Sequence, residues 1–190
     1  MDVIRGAEAL VKIQNNLVIK KRLPKNYRIP EIDHDIRKKR TKTEARIISM
    51  ARRFGVPTPI IYDVTEDTII MERIKGRLLR DIMSPKYSQI MGKCTAILHN
   101  NSIIHGDLTP RNVIVKNDRL YFIDFGLAFF DERVEPMGMD IHVYFEAIKA
   151  DFDNYVELRE AFIEGYRIMS RFNEVMERLE DIEARGRYRV

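Results

Sequence analysis

The 190-residue chain has a single cysteine, Cys94. No disulfide within it can brace the fold, and a reducing cytoplasm is the expected setting. Its neighbours Ala96, Ile97 and Leu98 suggest a helix, so Cys94 reads as a packed thiol rather than a nucleophile. No early apolar run has the form of a signal peptide. No stretch reaches the roughly 18 apolar residues of a membrane span, so no membrane association is expected. Repeats and low-complexity segments are also missing. With 45% hydrophobic and 33% charged residues, the composition is that of a globular protein able to bury a core.

Charge is present but unevenly placed. The net charge is +4, yet residues 20–53 hold thirteen Lys or Arg against four Asp or Glu, leaving the remainder of the chain at −5. A second basic cluster ends the chain in "RGRYRV", with Arg185, Arg187 and Arg189. Such clusters raise the local potential and attract phosphate-rich partners, nucleic acid above all.

The apolar pattern predicts a β-rich front and a helical back. Residues 10–21, "LVKIQNNLVIKK", alternate around Asn15-Asn16 as a hairpin. Pro24 and Pro30 break the next stretch, and residues 32–54 then carry Ile36, Ala45, Ile48 and Ala51 at helical intervals up to Gly55. Two short strands follow around Thr65-Glu66-Asp67. Composition shifts at Lys75-Gly76, giving an expected division into residues 1–74, a small sheet with one long helix, and residues 75–190, a helical part with a basic tail. Helices are expected over residues 88–100, over most of 139–170, and over 172–185 as a strongly charged surface element. The fold class is α+β and bilobal, with a cleft between the two parts as the natural ligand site.

Chemistry concentrates in "IIHGDLTPRNVIVKNDRLYFIDFGLAFF", residues 103–130. Asp107 and Asn112 stand in D-x-x-x-x-N spacing within an H-x-D loop. The runs 113–115 and 120–123, separated by "KNDR", form a tight hairpin that returns Asp124 to the side of Asn112. An Asp and an Asn so paired suit hard Mg²⁺ through oxygen, the ion also bridging substrate phosphates. Asp107, outside that pair, is placed to orient or deprotonate a hydroxyl or water. "DFG" alone recurs by chance; the ordered set with an apolar hairpin between its parts does not. His105 reads as a packing residue. In "LVIK" the strand-terminal Lys20 fits a cation reaching the α- and β-phosphates of ATP, with Lys21 its rival and strand alternation favouring Lys20. Glu44, the one acid in the middle of the basic helix, is its candidate partner. "RGAEA" stands where a glycine-rich flap would lie, yet holds only Gly6. In "IIMERIKG", backbone groups of Glu72 and Ile74 are candidates to meet adenine, with Met71 walling the pocket.

These residues resemble the protein-kinase superfamily in its small atypical, Rio-like branches, since "HGDL…N" carries Gly106 where most protein kinases have Arg. Taken with "VIKKRLPKNYRIPEID", "RTKTEAR", "IDFGLA" and "RGRYRV", the chain resembles over nearly its whole length the small kinase/ATPase subunit of the KEOPS complex, which supports threonylcarbamoylation of adenosine 37 in tRNA. The resemblance implies Asp107 as catalytic aspartate, Asn112 and Asp124 as Mg²⁺ ligands, and Lys20 with Glu44 at the phosphates of ATP. It further implies KEOPS subunits as partners, chiefly the threonylcarbamoyl-transferase subunit and a small subunit binding the N-terminal part, together with tRNA. "LTPRN" departs from the family's commoner "LTTSN", so Pro110 and Arg111 bear on how Asp107 meets an acceptor. Only residues 127–139 separate Gly126 from Asp140, which opens the helical "DIHVYFEAI" and is expected to anchor the catalytic loop. The expected fold is therefore a minimal protein-kinase-like one without a long activation segment or A-P-E region. Two other functions fit parts of the pattern: a small-molecule kinase of the aminoglycoside or choline type, and an adaptor that binds ATP without turnover. The first normally has a larger helical part than the 60 residues after Phe130.

Overall fold

Strands β1 (Asp2–Arg5), β2 (Ala9–Gln14) and β3 (Leu17–Arg22) begin the chain, and two asparagines set the turn between the last two. Asn15 sits at φ 54°, a left-handed conformation that asparagine tolerates. The computed structural model describes residues 2–6 and 9–187. With β4 (Ile61–Val64) and β5 (Thr68–Glu72) it completes a five-stranded antiparallel sheet in the order β1-β2-β3-β5-β4.

Helix α1 (Pro30–Arg53) crosses this sheet. Pro30, expected as a breaker, instead starts the helix, because a first-turn proline has no N–H that the helix needs. Acids Glu31 and Asp33 occupy the first turn and Arg52 and Arg53 the last, which suits the helix dipole. Gly55 follows at φ 95°, a backbone conformation open to glycine, and ends it. Ala45 packs with Ile69 and Met71 against the sheet, while Ile47, Ile48 and Ala51 enter the main core with the helical part of the chain. We therefore propose the division at residues 74/75 as one of architecture, since the core itself runs across it.

After β6 (Arg77–Leu78) come α2 (Pro85–Asn100), β7 (Ile103–Ile104), and the hairpin β8 (Val113–Lys116) with β9 (Arg119–Phe122). Asn117 and Asp118, both at positive φ, make its two-residue turn. β10 (Phe129–Phe130) pairs with β7, and α3 (Val134–Asp151), α4 (Tyr155–Tyr166) and α5 (Phe172–Arg187) close the chain.

Two expectations are corrected here. Asp140 does not open a helix: α3 starts at Val134, because Pro136 falls in the first turn, where its missing N–H costs nothing. The segment after Gly126 is thus shorter than expected, residues 127–133. Nor is α5 simply a surface helix. Val175, Leu179 and Ile182 are buried, and Arg178 pairs with Glu135 of α3 while Arg159 of α4 reaches Glu183 at 2.7 Å. Cys94 is buried, and that burial pushes its thiol up to about 12, as a packed thiol requires.

Helices α2 and α4 cross through glycines. A Cβ added at Gly92 would meet the Phe162 carbonyl oxygen, and one at Gly165 the Gln89 carbonyl oxygen. Gly92→Ala or Gly165→Ala should therefore lower unfolding stability by about 1–3 kcal/mol or more, since backbone must move to make room. Urea unfolding checks this, and an unchanged midpoint would contradict the crossing.

Candidate active site

Strand alternation decides which basic side chains face inward. On β3, Val18, Lys20 and Arg22 share one face, and Lys20 and Arg22 are 8% and 4% exposed. Lys21 points the other way and pairs loosely with Asp67 at 3.8 Å. Lys20 Nζ donates to Glu44 Oε1 at 2.6 Å and to Asp124 Oδ1 at 2.8 Å. Burial opposes the Lys20 charge, but the Glu44 and Asp124 carboxylates outweigh it and lift the ammonium above its ordinary value. Burial likewise works against Asp124, and Lys20 together with the Gly126 N–H overcomes it, holding the carboxyl below the usual range. Lys20, Glu44 and Asp124 thus form one linked set of contacts, with Lys20 bridging the two carboxyl groups.

The loop that carries Asp107 is fixed by its backbone. Asp140 accepts the N–H of His105 at 2.6 Å and of Gly106 at 2.8 Å. The Asn112 amide donates to the Asp107 carbonyl at 2.9 Å and to its Oδ2 at 2.8 Å. Asn112 is thus tied to Asp107 directly, a contact the spacing alone did not require. The Ile123 N–H donates to the Asn112 carbonyl at 3.0 Å, which is how the hairpin brings the Asp124 turn back. Phe125 is buried on His105, with ring centroids 4.8 Å apart, so Asp124 faces the cavity while its neighbour faces the core. Arg111 is held by Asp151 at 3.1 Å, so the departure at "LTPRN" extends the loop's anchorage to the end of α3.

Two cavities meet at Val11, Lys20 and Asp124. One, about 320 Å³, is walled by apolar side chains including Ile13, Val18, Met71, Ile114 and Ile123, with Glu72 and Ile74 at its edge. The other, about 370 Å³, carries the charged side chains Lys20, Arg22, Asp107 and Asp124, with Gly6 and Gly126 also in its lining. An apolar slot running into a charged one matches a base joined to phosphates. The Glu72 N–H already donates to the Ile60 carbonyl at 2.8 Å, so only its carbonyl remains to meet a base, which narrows that expectation.

A divalent ion fits the donor set. No group of three His, Cys, Asp or Glu that could hold a metal occurs among the described residues. Asn112 and Asp124 offer two protein oxygens from the same cavity wall. With its amide nitrogen committed to Asp107, Asn112 presents its oxygen. Mg²⁺ is commonly held by one or two such groups, with water and phosphate supplying the rest.

Of the nucleic-acid candidates, Arg185 is exposed on α5 and Arg187 ends that helix; Arg189 lies outside the described residues. Arg22, buried beside Lys20 through their shared Glu44, is a neighbour that sequence reasoning did not single out. The alternation that selects Lys20 over Lys21 selects Arg22 as well.

A RIO domain matches residues 14–155. The chain belongs to the RIO-domain family. It is 58% identical over 188 residues to the probable serine/threonine-protein kinase BUD32 homologue of Archaeoglobus fulgidus, covering 99% of this chain and 96% of that relative. It is 46% identical over 187 residues to the probable bifunctional tRNA threonylcarbamoyladenosine biosynthesis protein of Methanoculleus marisnigri, covering 98% of this chain but spanning only 36% of that longer relative. Among solved structures, the Rio2 kinase of Chaetomium thermophilum, as an ADP/Mg²⁺-phosphoaspartate complex, superposes with a TM-score of 0.69 at 13% identity, covering 99% of this chain and 71% of that one. An amicoumacin kinase superposes with a TM-score of 0.64 at 12% identity, covering 88% and 72%. At such identities the likeness is one of fold, and the fold is a minimal bilobal kinase-like one.

His105 supplies a pH signature. Burial holds its imidazole below the ordinary value of 6.5, so the folded RIO chain keeps it neutral. The unfolded chain binds that proton once pH drops below about 6.5, so stability falls as pH falls through this window. The melting temperature should decline from about pH 7 to about pH 5.5, and His105→Asn should flatten the decline while lowering the plateau. A slope equally steep in the variant would remove His105 as its cause.

Proposed function

We propose that this chain is an atypical serine/threonine kinase and ATPase that uses Mg-ATP in support of threonylcarbamoylation of adenosine 37 in tRNA, as part of a KEOPS-type assembly. The single observation that carries the reading is the linked set Lys20, Glu44 and Asp124 beside Asp107 and Asn112, where an apolar cavity meets one lined by charged side chains.

In this reading adenine occupies the slot beside Met71, with the Glu72 carbonyl and Ile74 backbone at its edge, and Gly6 closes over the phosphates. Lys20, held by Glu44, is the cation for the α- and β-phosphates. Asn112 and Asp124 hold Mg²⁺, which neutralises developing phosphate charge when bound. Asp107 accepts a hydrogen bond from a serine, threonine or water hydroxyl and turns its oxygen toward the γ-phosphorus. The Asn112 amide keeps that carboxylate aimed. As the new O–P bond forms and the bond to the ADP oxygen breaks, the hydroxyl proton passes to Asp107. Such a cavity suits any hydroxyl acceptor; with only residues 127–133 between Gly126 and α3, there is no platform for a long peptide.

The partner proposal rests on the bifunctional relatives, whose remaining length lies beyond this domain. We assign that place to a threonylcarbamoyl-transferase subunit, with a further small subunit on the five-stranded sheet. Among the described residues no helix is long and apolar enough to cross a membrane. The lone buried Cys94 agrees with a cytoplasmic setting. Arg185, Arg187 and Arg189 are proposed to meet tRNA phosphates, so removing residues 185–190 should spare ATP binding and flatten the salt dependence of tRNA affinity. A salt series unchanged by the truncation would remove the tail from the interface.

The fate of the γ-phosphate of labelled ATP tests the activity. Free phosphate, rising with transferase partner and tRNA, is expected; label on serine or threonine would make protein phosphorylation the main activity. Asp124→Ala should abolish Mg²⁺-dependent turnover in either case. Turnover that survives this substitution would contradict the site.

A further inference from the structure

Arg22 stands apart in this site. It is an arginine, 4% exposed, in the cavity that holds Lys20, Asp107 and Asp124, two residues beyond the phosphate lysine. Its Nη2 donates to Glu44 Oε2 at 2.6 Å and reaches the Gly126 carbonyl at 3.4 Å. Lys20 takes the other oxygen of the same carboxylate at 2.6 Å. Glu44 is therefore shared between two buried cations, and only one of them touches Asp124.

We propose that Arg22 is a positioning residue that clamps the Asp124-Phe125-Gly126 turn to helix α1, keeping Asp124 in place for the metal without help from an activation segment. This rests on the Mg-nucleotide reading of the site. Gly126 is held from both of its polar groups. Its N–H donates to Asp124 Oδ1 at 2.9 Å, fixing the carboxylate, and its carbonyl faces Arg22. A Cβ at this position would come within 3.0 Å of Asp124 Oδ1 and 3.4 Å of Lys20 Nζ, so the turn has little slack. Beyond it the chain passes through Phe129 and Phe130 and enters α3 at Val134. In kinases with a long activation segment, phosphorylation of that segment brings the lysine–glutamate pair and the metal-binding aspartate into register. Here residues 127–133 leave no room for that device, and the path Glu44–Arg22–Gly126 makes the same connection through contacts that need no phosphate.

The residue type matters. A guanidinium presents several donors in a planar fork and can serve a carboxylate and a carbonyl together, whereas an ammonium on a flexible stem acts as a point charge. Removing Arg22 leaves Glu44 with Lys20, so the carboxylate is not stranded and the fold should hold. The loss should appear where Asp124 does its work.

The test is calorimetric titration of ATP, with and without Mg²⁺, into the full chain, Arg22→Met and Arg22→Lys, alongside urea unfolding. Without Mg²⁺, Arg22→Met should bind ATP within about threefold of the parent, because Lys20 remains. The tightening that Mg²⁺ gives the parent should shrink by about tenfold or more, the usual scale for residues that orient metal ligands. Arg22→Lys should recover only part of it. If Arg22→Met keeps the full Mg²⁺ effect, the proposal is overturned. If affinity without Mg²⁺ itself falls by more than about tenfold, Arg22 is a direct phosphate ligand and the positioning role is overturned. Should Arg22→Met fail to fold, Arg22→Lys decides: partial loss of the Mg²⁺ effect supports the clamp, and full retention overturns it. A parent chain that shows no Mg²⁺-dependent ATP binding overturns the reading of the site itself, and the clamp with it.

Discussion

The carboxylate of Glu44 is the constraint on which the rest of the site depends. Burying an anion is expensive unless strong, well-aligned partners replace its water. Glu44 has two, Lys20 and Arg22, each at 2.6 Å, one on each oxygen. Those partners both come from β3, so the carboxylate locks α1 to the sheet at one point and in one orientation. Lys20 continues the connection to Asp124 at 2.8 Å, which brings the Asp124 turn into the same charged set. A chain of alternating charges thus crosses from the sheet to the hairpin of the helical part. The long basic helix is needed to deliver that one acid: Ala45, Ile47, Ile48 and Ala51 seat it against sheet and core, and Glu44 follows from their placement.

A second buried acid does the corresponding work on the other side of the cleft. Asp140, on α3, takes the backbone N–H groups of His105 and Gly106. It also meets His99 of α2 at 3.3 Å, whose other ring nitrogen lies 2.7 Å from the Tyr166 hydroxyl of α4. Three helices are thereby tied to the loop that carries Asp107. Backbone hydrogen bonds to a buried carboxylate fix a loop more tightly than side-chain packing alone, since the alternative is an uncompensated charge. Asp107 itself stays exposed to the cavity, restrained by Asn112. The arrangement combines rigid supports with an exposed acidic group, which suits the proposed role of Asp107 toward an incoming hydroxyl.

Much of this was legible in the sequence because it depends on local pattern. The Asn15-Asn16 turn, the helix ending at Gly55, and the hairpin between Asn112 and Asp124 are all written in turn residues and short periods. Alternation on β3 chose Lys20 over Lys21, and the side chains lie as it predicts. What escaped was long-range or was read by the wrong rule. Arg22 obeys the same alternation as Lys20, but nothing local says that a second cation shares Glu44. Prolines were read as breakers at residue 30 and passed over at residue 136, when both sit in first helical turns. The charge of α5 hid a narrow apolar stripe, Val175, Leu179 and Ile182, that finds its partner only in three dimensions. The pairing of His99 with Asp140, 41 residues apart, has no sequence signature.

The central claim is that Lys20 and Glu44 act as one unit in holding nucleotide phosphates. A double-mutant cycle on ATP affinity, with Lys20→Met, Glu44→Gln and the pair together, tests it most directly. Each single substitution should weaken binding, and the double should be little worse than either, giving a coupling of about 1 kcal/mol or more. Losses that simply add would show that the two residues act separately, and the shared-charge account of this site would be wrong.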